Sequence, residues 1–389
     1  MKIAVYCQYV LGIGHLFRML EICRALERHD VLLITGGPPV DAPMPSHVRH
    51  FPMTSLKMDT DFRRLLPMEE GADVELIKAQ RQRLLNDIFT AEKPDVALIE
   101  LYPFGRKAFF FEIDPLLKLI RSQGPPRCLT VCSLRDILVE KKDPEDFEKR
   151  VIRALGASFD ALLVHGDPQV IRLDATFERV SDIPVPLTYT GYVVAAVPPG
   201  ARQRVRTALG LCPQERLVVA SAGGGRIGKR LLKAMVSAMD FIDSDLRCRL
   251  HLFTGPFIDT PDFKKLYRRS GGNIRIERFT TQFLSYLAAA DLSVSMGGYN
   301  TCMNILSARV PALVWPSPRD QEQRMRVECL SRLGAMQQLS EAELDPRRLA
   351  SSIETRLRQS DGPTVKVDMQ GAVNTARWLE DWVAGGENS

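Results

Sequence analysis

Two glycines mark the point in the segment ADLSVSMGGYNT where a short apolar run ends and a helix begins. Gly297 and Gly298 follow the predicted strand Leu292–Ser295, and the helix opens at Asn300–Thr301. Glycines let backbone N–H groups approach a ligand closely, and a helix N-terminus carries roughly half a positive charge. The segment therefore predicts a site for an anion such as a diphosphate. Beyond the apolar run PALVWP, the polar cluster Gln321–Arg324 is suited to hydrogen-bonding hydroxyls, and the two sites together indicate a nucleotide sugar.

Short β-rich runs alternate with helical segments along the rest of the chain. The predicted strands of the first half are Ile3–Tyr9, Val31–Thr35, Val96–Glu100, Cys128–Cys132 and Ala161–His165. Those of the second half are Leu217–Ala222, Arg249–Thr254, Ile274–Glu277, Leu292–Ser295 and Ala312–Trp315. This alternation predicts the α/β class, with one parallel sheet in each half. Pro198, Pro199 and Gly200 interrupt the pattern and are interpreted as a hinge between an N-terminal domain (1–193) and a C-terminal domain (194–370).

Composition is that of a globular protein. The 389 residues, 45% hydrophobic and 25% charged, suffice for two domains with a core each. The net charge of +5 is scattered without a basic stripe, so nucleic acid is not expected as a partner. No apolar run is long enough to span a bilayer, and the chain opens on a predicted strand instead of a cleavable signal, which predicts a cytoplasmic location. The eight cysteines form no metal-binding pattern and are expected to be reduced core thiols, so no metal site is predicted.

One part of the chain resembles a known family. The block FTTQFLSYLAAADLSVSMGGYNT, followed by PALVWPSPRDQEQ, is similar to the donor half of MurG-type glycosyltransferases, with no gap between Phe279 and Asn304. The motifs GIGHLFR, LYPFGR, SLRDIL, TYTGYV, SMGGYNT and EQR also resemble an uncharacterised branch of predicted GT-B glycosyltransferases, over nearly the whole chain. The resemblance implies two Rossmann-like domains facing each other across a cleft. It also implies that residues 371–389, with Trp378 and Trp382, form a helix that crosses back to the first domain.

The loop after the first predicted strand contains a histidine. Gly12 and Gly14 precede His15, and the carboxyl edge of a parallel sheet faces ligands. In MurG-like enzymes the equivalent loop carries a histidine, so the resemblance implies that His15 is the base that takes the acceptor proton, worth roughly 10²–10⁴ in rate. Capping of the next helix is the alternative. Arg18 could reach a phosphate or pair with Glu21.

A second glycine-rich loop begins at Gly223. Its spacing fits the G-x-x-x-x-G-K of a P-loop, but Arg230 stands where that motif needs Ser or Thr to hold magnesium. In a GT-B protein such a loop would instead bring the backbone close to the donor phosphates or the reacting sugar; a turn without a ligand is the alternative. The donor-binding residues assigned to this loop are Gly223, Gly224, Gly225 and Arg226.

Charged residues follow two predicted strands of the N-terminal domain. Glu100 and Arg106 follow one, and Arg135 and Asp136 follow the next. Since this strand edge faces ligands, all four are acceptor-side candidates, and Glu100 is also the second candidate for the base. Solvated or capping roles are the alternative, and Arg135 with Asp136 could be an ion pair.

The resemblance assigns donor roles to three further groups of residues. They are the loop that reads the base (Phe279, Thr280), the helix start that holds phosphate (Gly297, Gly298, Tyr299, Asn300, Thr301) and the pair that holds sugar hydroxyls (Glu322, Gln323). One position departs from the family. Asn304 stands where the family has a glutamate that accepts hydrogen bonds from both ribose hydroxyls, so on the order of 1 kcal/mol of charge-assisted bonding is lost.

The expected reaction is inverting, metal-independent transfer of a sugar from a nucleoside diphosphate sugar, most simply a UDP-sugar, to an acceptor hydroxyl. Two alternatives stay open. GIGHLFR also resembles the opening of PseG-type hydrolases, which release UDP with water, and Asn304 is compatible with a non-catalytic nucleotide-sugar-binding subunit. The acceptor, a small molecule or a lipid-linked one, and the oligomeric state are not predicted. Ala108–Phe111 is either a buried helix or a patch that would place the protein at the inner membrane face.

Overall fold

The computed structural model describes residues 1–9, 13–40, 42–59, 64–124, 127–225, 227–359 and 365–386. The chain forms two compact units, one of Met1–Val193 with Asp368–Ser389 and the other of Val194–Val367. Each unit contains a parallel sheet flanked by helices, which confirms the predicted α/β class. The second unit ends at Val367, whereas the sequence placed its end at residue 370.

The first unit contains nine strands and five helices in its described residues. The strands are β1 (Lys2–Cys7), β2 (Asp30–Thr35), β3 (Val48–Pro52), β4 (Leu56–Met58), β5 (Leu65–Pro67), β6 (Val96–Glu100), β7 (Leu129–Arg135), β8 (Ala161–His165) and β9 (Leu187–Tyr189). The helices are α1 (Gly14–Ala25), α2 (Val74–Glu92), α3 (Phe110–Ser122), α4 (Pro144–Ser158) and, after the second unit, α12 (Gly371–Gly386). Seven strands form one parallel sheet in the order β3-β2-β1-β6-β7-β8-β9, and β4 and β5 form a separate antiparallel hairpin.

The second unit repeats the design with six strands and seven helices in its described residues. The strands are β10 (Arg216–Ser221), β11 (Cys248–Phe253), β12 (Ile274–Glu277), β13 (Leu292–Met296), β14 (Ala312–Trp315) and β15 (Gln337–Gln338). The helices are α5 (Ala201–Ala208), α6 (Lys229–Ala238), α7 (Thr260–Tyr267), α8 (Phe283–Ala289), α9 (Tyr299–Ala308), α10 (Gln321–Arg332) and α11 (Pro346–Arg358). All strands are parallel, in the order β12-β11-β10-β13-β14-β15.

Burial explains why the central strands read as unbroken apolar runs. β6, β8, β13 and β14 are buried along their whole length, because helices cover both faces of a parallel sheet. In β6 and β8 the polar residue is the last of the strand, where the sheet meets its loops, whereas β13 buries Ser293 and Ser295, whose hydroxyls bond each other at 3.0 Å. One prediction was too long: the first strand ends at Cys7, not Tyr9.

Aspartates begin several of the helices. Asp73, Asp143, Asp320 and Asp345 each accept hydrogen bonds from backbone N–H groups of the following turn, at the starts of α2, α4, α10 and α11. By contrast the N-cap residue of α9 is Gly298, which has no side chain that could accept such hydrogen bonds. The start of α9 thus lacks the carboxylate cap that begins the other four helices.

The C-terminal helix α12 belongs to the first unit. Trp378 and Trp382 lie with ring centroids 4.7 Å apart and pack on the core around α1. Among the described residues, the helix spans Gly371–Gly386 of the predicted range 371–389.

The run Ala108–Phe111 lies at the start of α3 and is only partly buried. Phe109 is in the core, whereas Phe110 is 52% exposed, so neither of the two predictions for this run describes it fully. Across the described ranges, none of the helices combines the length and apolar character that crossing a membrane requires.

Candidate functional site

Both sheets have a point where the strand order reverses, and ligands of such sheets bind outside the carboxyl ends of the strands at this switch point. In the first unit it lies between β1 and β6. In the second unit it lies between β10 and β13. The loops that follow these four strands contain most of the residues that the sequence singled out.

At the first switch point, three side chains surround the carboxylate of Glu100. Its Oε1 lies 2.6 Å from His15 Nδ1 and accepts a hydrogen bond of 2.6 Å from Arg18 Nη2. Its Oε2 accepts from Arg106 Nη2 at 2.7 Å and from Arg106 Nε at 3.1 Å. We call these four residues the Glu100 cluster. The side chain of Glu100 is 0% exposed and that of His15 is 17% exposed, so the histidine is the member that solvent can reach.

The charges of the cluster settle its protonation. Burial would raise the pKa of Glu100, but Arg106, His15 and Arg18 lower it, and the net pKa is well below the usual value. The pKa of His15 is lowered to about 4, chiefly by burial; Glu100 raises it, while Arg106 and Arg18 lower it. At neutral pH the ring is therefore neutral, its Nδ1 donates its proton to the carboxylate, and Nε2 carries a free lone pair.

This geometry bears on two of the sequence predictions. Arg18 pairs with Glu100 and not with Glu21, which instead pairs with Arg24. Glu100, the second candidate for the base, is buried with both oxygens engaged, so it would have to leave three partners before it could take a proton from a substrate.

The other acceptor-side candidates are more scattered. Gly14 is the first residue of α1, and Gly12 lies outside the described residues. Arg135 ends β7 and is half-buried. Asp136 is buried, and its Oδ1 accepts from the N–H of Ile137, so one of its roles is to hold the turn that follows β7.

A buried polar chain next to the cluster was missed by the sequence analysis. His165 Nε2 lies 2.7 Å from Ser133 Oγ, and His165 Nδ1 lies 2.8 Å from Thr190 Oγ1. Burial and, after it, the nearby Arg18 lower the pKa of His165 to about 3, so the ring is neutral. Ser133 is the strand neighbour of Glu100. A histidine at the end of the apolar strand β8 was the available signal, but its partners are distant in sequence.

At the second switch point, backbone groups of two loops come together. A methyl group built on Gly223 would lie 4.0 Å from Thr301 Oγ1, and one built on Gly298 would also lie 4.0 Å from that oxygen. The loop after β10 therefore meets the start of α9. We call Gly223–Gly225 and Gly297–Thr301 together the glycine site.

The turn after β10 depends on its glycines. Gly223 and Gly225 have φ of 61° and 87°, in the left-handed region, and a methyl group on Gly225 would lie 2.6 Å from the carbonyl oxygen of Thr254. Gly255 and Phe257, in the loop after β11, complete this contact: the N–H of Phe257 donates to the carbonyl of Gly224 at 3.0 Å. The sequence analysis missed this third loop, although FTGPF after a predicted strand is a turn signal. Gly224 is exposed, and Arg226 lies outside the described residues.

Lys229, the lysine of the P-loop spacing, forms ion pairs with two aspartates. Its Nζ lies 2.6 Å from Asp259 and 2.5 Å from Asp262, and these hydrogen bonds raise its pKa. The lysine at the start of α6 thus pairs with carboxylates beside α7. The lysine therefore has carboxylate partners of its own, which agrees with the prediction that this loop is not a P-loop.

Two neighbours in the glycine site differ in their surroundings. A methyl group on Gly297 would lie 2.5 Å from Val327 Cγ2, so this residue is held against α10. Tyr299 is buried with the guanidinium of Arg326 5.1 Å from its ring centroid. A methyl group on Gly298, between them, would meet only Thr301 Oγ1, at 4.0 Å.

The predicted hydroxyl-binding pair is engaged with protein groups. Glu322 accepts from Arg326 Nη2 at 2.8 Å. Gln323 donates from Nε2 to Asp320 at 2.9 Å and accepts at Oε1 from the N–H of Ser317 at 3.2 Å. Both side chains therefore already stabilise the start of α10.

The last donor candidates occupy exposed or half-buried positions. Asn300 is exposed, and the half-buried Asn304, one turn along α9, makes no side-chain hydrogen bond to a described residue. Phe279 follows β12 and is 46% exposed. Thr280 Oγ1 accepts a hydrogen bond from the N–H of Gln282 at 3.1 Å and so stabilises the turn that leads into α8.

Comparisons with known proteins agree with the predicted resemblance to MurG-type glycosyltransferases. Residues 221–376 match the model of the glycosyltransferase family 28 C-terminal domain. An uncharacterized glycosyltransferase of Methanopyrus kandleri is 22% identical over 54% of this chain and 59% of its own length. The UDP-N-acetylglucosamine–N-acetylmuramyl-(pentapeptide) pyrophosphoryl-undecaprenol N-acetylglucosamine transferase of Methylorubrum populi is 28% identical over 40% of this chain and 43% of its own length. The chain thus spans about half the length of these curated relatives.

Solved structures share the fold over the whole chain. MurG of Acinetobacter baumannii matches with a TM-score of 0.55 at 14% identity, over 99% of this chain and 100% of that one. A candidate UDP-N-acetylglucosamine 2-epimerase of Listeria monocytogenes matches with a TM-score of 0.63 at 13% identity, over 100% and 97%. The predicted GT-B fold is confirmed. Since proteins of different named activities share it, the fold alone does not fix the reaction.

Proposed function

We propose that this protein, whose residues 221–376 match the family 28 C-terminal domain, is a glycosyltransferase that moves a sugar from a nucleoside diphosphate sugar to an acceptor hydroxyl. The proposed donor is a UDP-sugar, because the name of the Methylorubrum populi relative specifies UDP-N-acetylglucosamine. The observation that carries the proposal is the meeting of the Gly223 turn with the uncapped start of α9 at Thr301.

The glycine site has the properties that a diphosphate requires. The N-cap residue of α9, Gly298, supplies no side-chain cap, and the first turn of the helix carries the positive end of the helix dipole. The absence of side chains at Gly223 and Gly298 leaves room for phosphate oxygens to reach backbone donors and Thr301 Oγ1. Asn304, one turn further along the helix, is the proposed partner of the ribose.

The Glu100 cluster has the properties of a general base. In the proposed step the acceptor oxygen attacks the anomeric carbon, the bond from that carbon to the diphosphate breaks, and the electron pair leaves with the nucleoside diphosphate. The hydroxyl proton passes to Nε2 of His15, whose Nδ1 donates to Glu100. Attack opposite the leaving group inverts the configuration. The start of α9 takes up the developing diphosphate charge, so we propose that no metal is needed.

A thermal-shift screen of UDP, GDP, ADP and dTDP tests the donor site. A ligand at one hundred times its Kd stabilises the folded protein by about 2.7 kcal/mol, so UDP should raise the Tm clearly and more than the others. The matched variant is Gly298→Val: a first carbon added at this position meets only Thr301 Oγ1, at 4.0 Å, so the variant should reduce the shift without lowering the Tm of the free protein. Failure of every nucleotide to raise the Tm would contradict the proposal.

Incubation with UDP-sugars separates transfer from its alternatives. A transferase should release UDP slowly with water alone and much faster with an acceptor, and EDTA should not change the rate. Fast release that no acceptor increases would instead support the hydrolase. UDP-sugar binding without turnover, across a panel of alcohol and lipid-linked acceptors, would support a binding subunit.

A further inference from the structure

The Glu100 cluster contains one more positive charge than a histidine–carboxylate pair needs. Two guanidinium groups, from Arg18 and Arg106, contact a single carboxylate, and both side chains are at most 7% exposed. Burying a charge is costly, so each buried arginine must do something that outweighs the desolvation. Arg18 shares Oε1 of Glu100 with His15, whereas Arg106 alone occupies Oε2.

The contact of Arg106 is the more specific of the two. Both Nε and Nη2 donate to Oε2, so the guanidinium approaches the carboxylate edge-on with two donors. These two hydrogen bonds restrain the rotation of the carboxyl group of Glu100 about its Cγ–Cδ bond. With Oε2 held, Oε1 can point only toward His15 and Arg18.

The loop that delivers Arg106 is strained. Leu101 and Arg106 have φ of 67° and 60°, in the left-handed region that side chains other than glycine rarely adopt. Such residues cost of order 1–3 kcal/mol each and persist where the surroundings hold them. The N–H of Gly105 donates to the carbonyl of Leu101 at 2.7 Å, and the buried Phe104 packs against Phe177 with centroids 5.4 Å apart. The chain thus turns back on itself directly after β6 and places Arg106 on the carboxylate that ends the same strand.

We propose that Arg106 is a positioning residue for His15: by holding Oε2 of Glu100, it directs Oε1 to Nδ1 of the histidine and so leaves Nε2 as the proton acceptor. This inference rests on the proposed role of His15 as the base. It reassigns Arg106, which the sequence placed among the acceptor contacts. Within the described part of the chain, the charged groups that act most on His15 are Glu100 on β6, Arg18 on α1 and Arg106 in the loop after β6.

Titration of the histidine in the whole chain tests this inference without a substrate. The protein has six histidines, so labelling them with ¹³C at Cε1 gives few signals, and His15→Gln identifies the one from His15. In the wild type His15 should titrate near pH 4. In Arg106→Gln a nearby positive charge is lost while Glu100 remains, so the midpoint should rise by roughly one pH unit.

Two further variants separate charge from fold. Arg106→Lys keeps the positive charge, so the midpoint should return toward that of the wild type. Arg24→Gln removes an arginine that pairs with Glu21 on the same helix as His15 and should leave the midpoint unchanged. Circular dichroism of each variant at the titration temperature checks that the comparison is between folded proteins.

The inference is overturned by a titration midpoint of His15 in folded Arg106→Gln that equals the wild-type midpoint. It is also overturned by equal His15 midpoints in Arg106→Gln and Arg106→Lys. The UDP thermal shift distinguishes this failure from failure of the proposed function. If UDP stabilises the protein and the midpoint does not move, the donor site stands and Arg106 has no positioning role. If Arg106 instead contacts the acceptor, Arg106→Gln should raise the KM for the acceptor and leave the pH profile of the rate unchanged.

Discussion

The two switch points are built from different materials. In the first unit the space between β1 and β6 is filled by the Glu100 cluster, four side chains whose protonation depends on one another. In the second unit the space between β10 and β13 is lined by the glycine site, where backbone groups and one hydroxyl meet. A side-chain cluster can hold and move a proton, whereas a backbone site offers fixed dipoles that no pH change within the physiological range removes. The same topology thus supports a chemical role in one unit and a binding role in the other.

The variant with the largest expected effect on only one of the two switch points is His15→Ala. We expect the rate of sugar transfer to fall by roughly 10²–10⁴, because the proposed base is lost, while the UDP thermal shift stays as in the wild type. The matched control is His29→Ala. His29 also contacts a carboxylate, that of Glu380, at 2.9 Å, but Glu380 lies on α12 and outside the Glu100 cluster. Both rates are measured with the acceptor that gives the highest activity.

Two results would contradict this division of roles. Full transfer activity in His15→Ala would remove the histidine from the mechanism. Loss of the UDP thermal shift in the same variant would mean that the Glu100 cluster takes part in donor binding and is not confined to the chemical step.

Adjacent glycines of the glycine site should respond in opposite ways. Gly297→Ala places a methyl group 2.5 Å from Val327 Cγ2, and such overpacking costs about 1–3 kcal/mol, so the Tm should fall. Gly298→Val meets no such obstacle, and its backbone φ of −65° suits any residue, so the Tm should be unchanged. Its branched side chain should nevertheless weaken UDP binding by roughly tenfold or more, which is about 1.4 kcal/mol.

Calorimetric titration of UDP and a melting curve for each variant check both expectations. A loss of affinity in Gly298→Val that came with a loss of stability would make the effect one of folding. Unchanged affinity in a stable Gly298→Val would show that the diphosphate does not bind at the start of α9.

Each of the two segments of the glycine site could be singled out in the sequence because each is local. Gly297, Gly298 and Thr301 are neighbours in the chain, and a glycine pair between an apolar run and a helix has one common meaning. The central strands were predicted for the same reason: β6 and β8 have the predicted bounds Val96–Glu100 and Ala161–His165. Short edge strands such as β3 and β9 carry no comparable apolar run and were not predicted.

The Glu100 cluster could be predicted only as a set of separate candidates. His15 and Glu100 are 85 residues apart, and their contact depends on β1 and β6 being neighbours in the sheet. Nothing in LYPFGR indicates that the chain reverses to return Arg106 to Glu100, because that reversal uses left-handed conformations at residues other than glycine. The partners of Gln323 were not predictable for another reason: its type suits sugar hydroxyls, but whether its amide is engaged depends on Asp320 and Ser317.

The smallest expected effect concerns Asn304, the position where this chain departs from the family it resembles. Asn304→Glu supplies a carboxylate one helical turn beyond Thr301, where a charged acceptor can take hydrogen bonds from both ribose hydroxyls. The gain of about 1 kcal/mol should tighten UDP binding about fivefold. Asn304→Gln, which lengthens the side chain without adding charge, should give no such gain. Calorimetry with 2′-deoxyuridine diphosphate, which lacks one ribose hydroxyl, should show a smaller gain in affinity from the glutamate. If the glutamate instead weakens UDP binding, the new charge lies near the diphosphate and not the ribose, and the nucleotide runs along α9 in a different direction from the one proposed here.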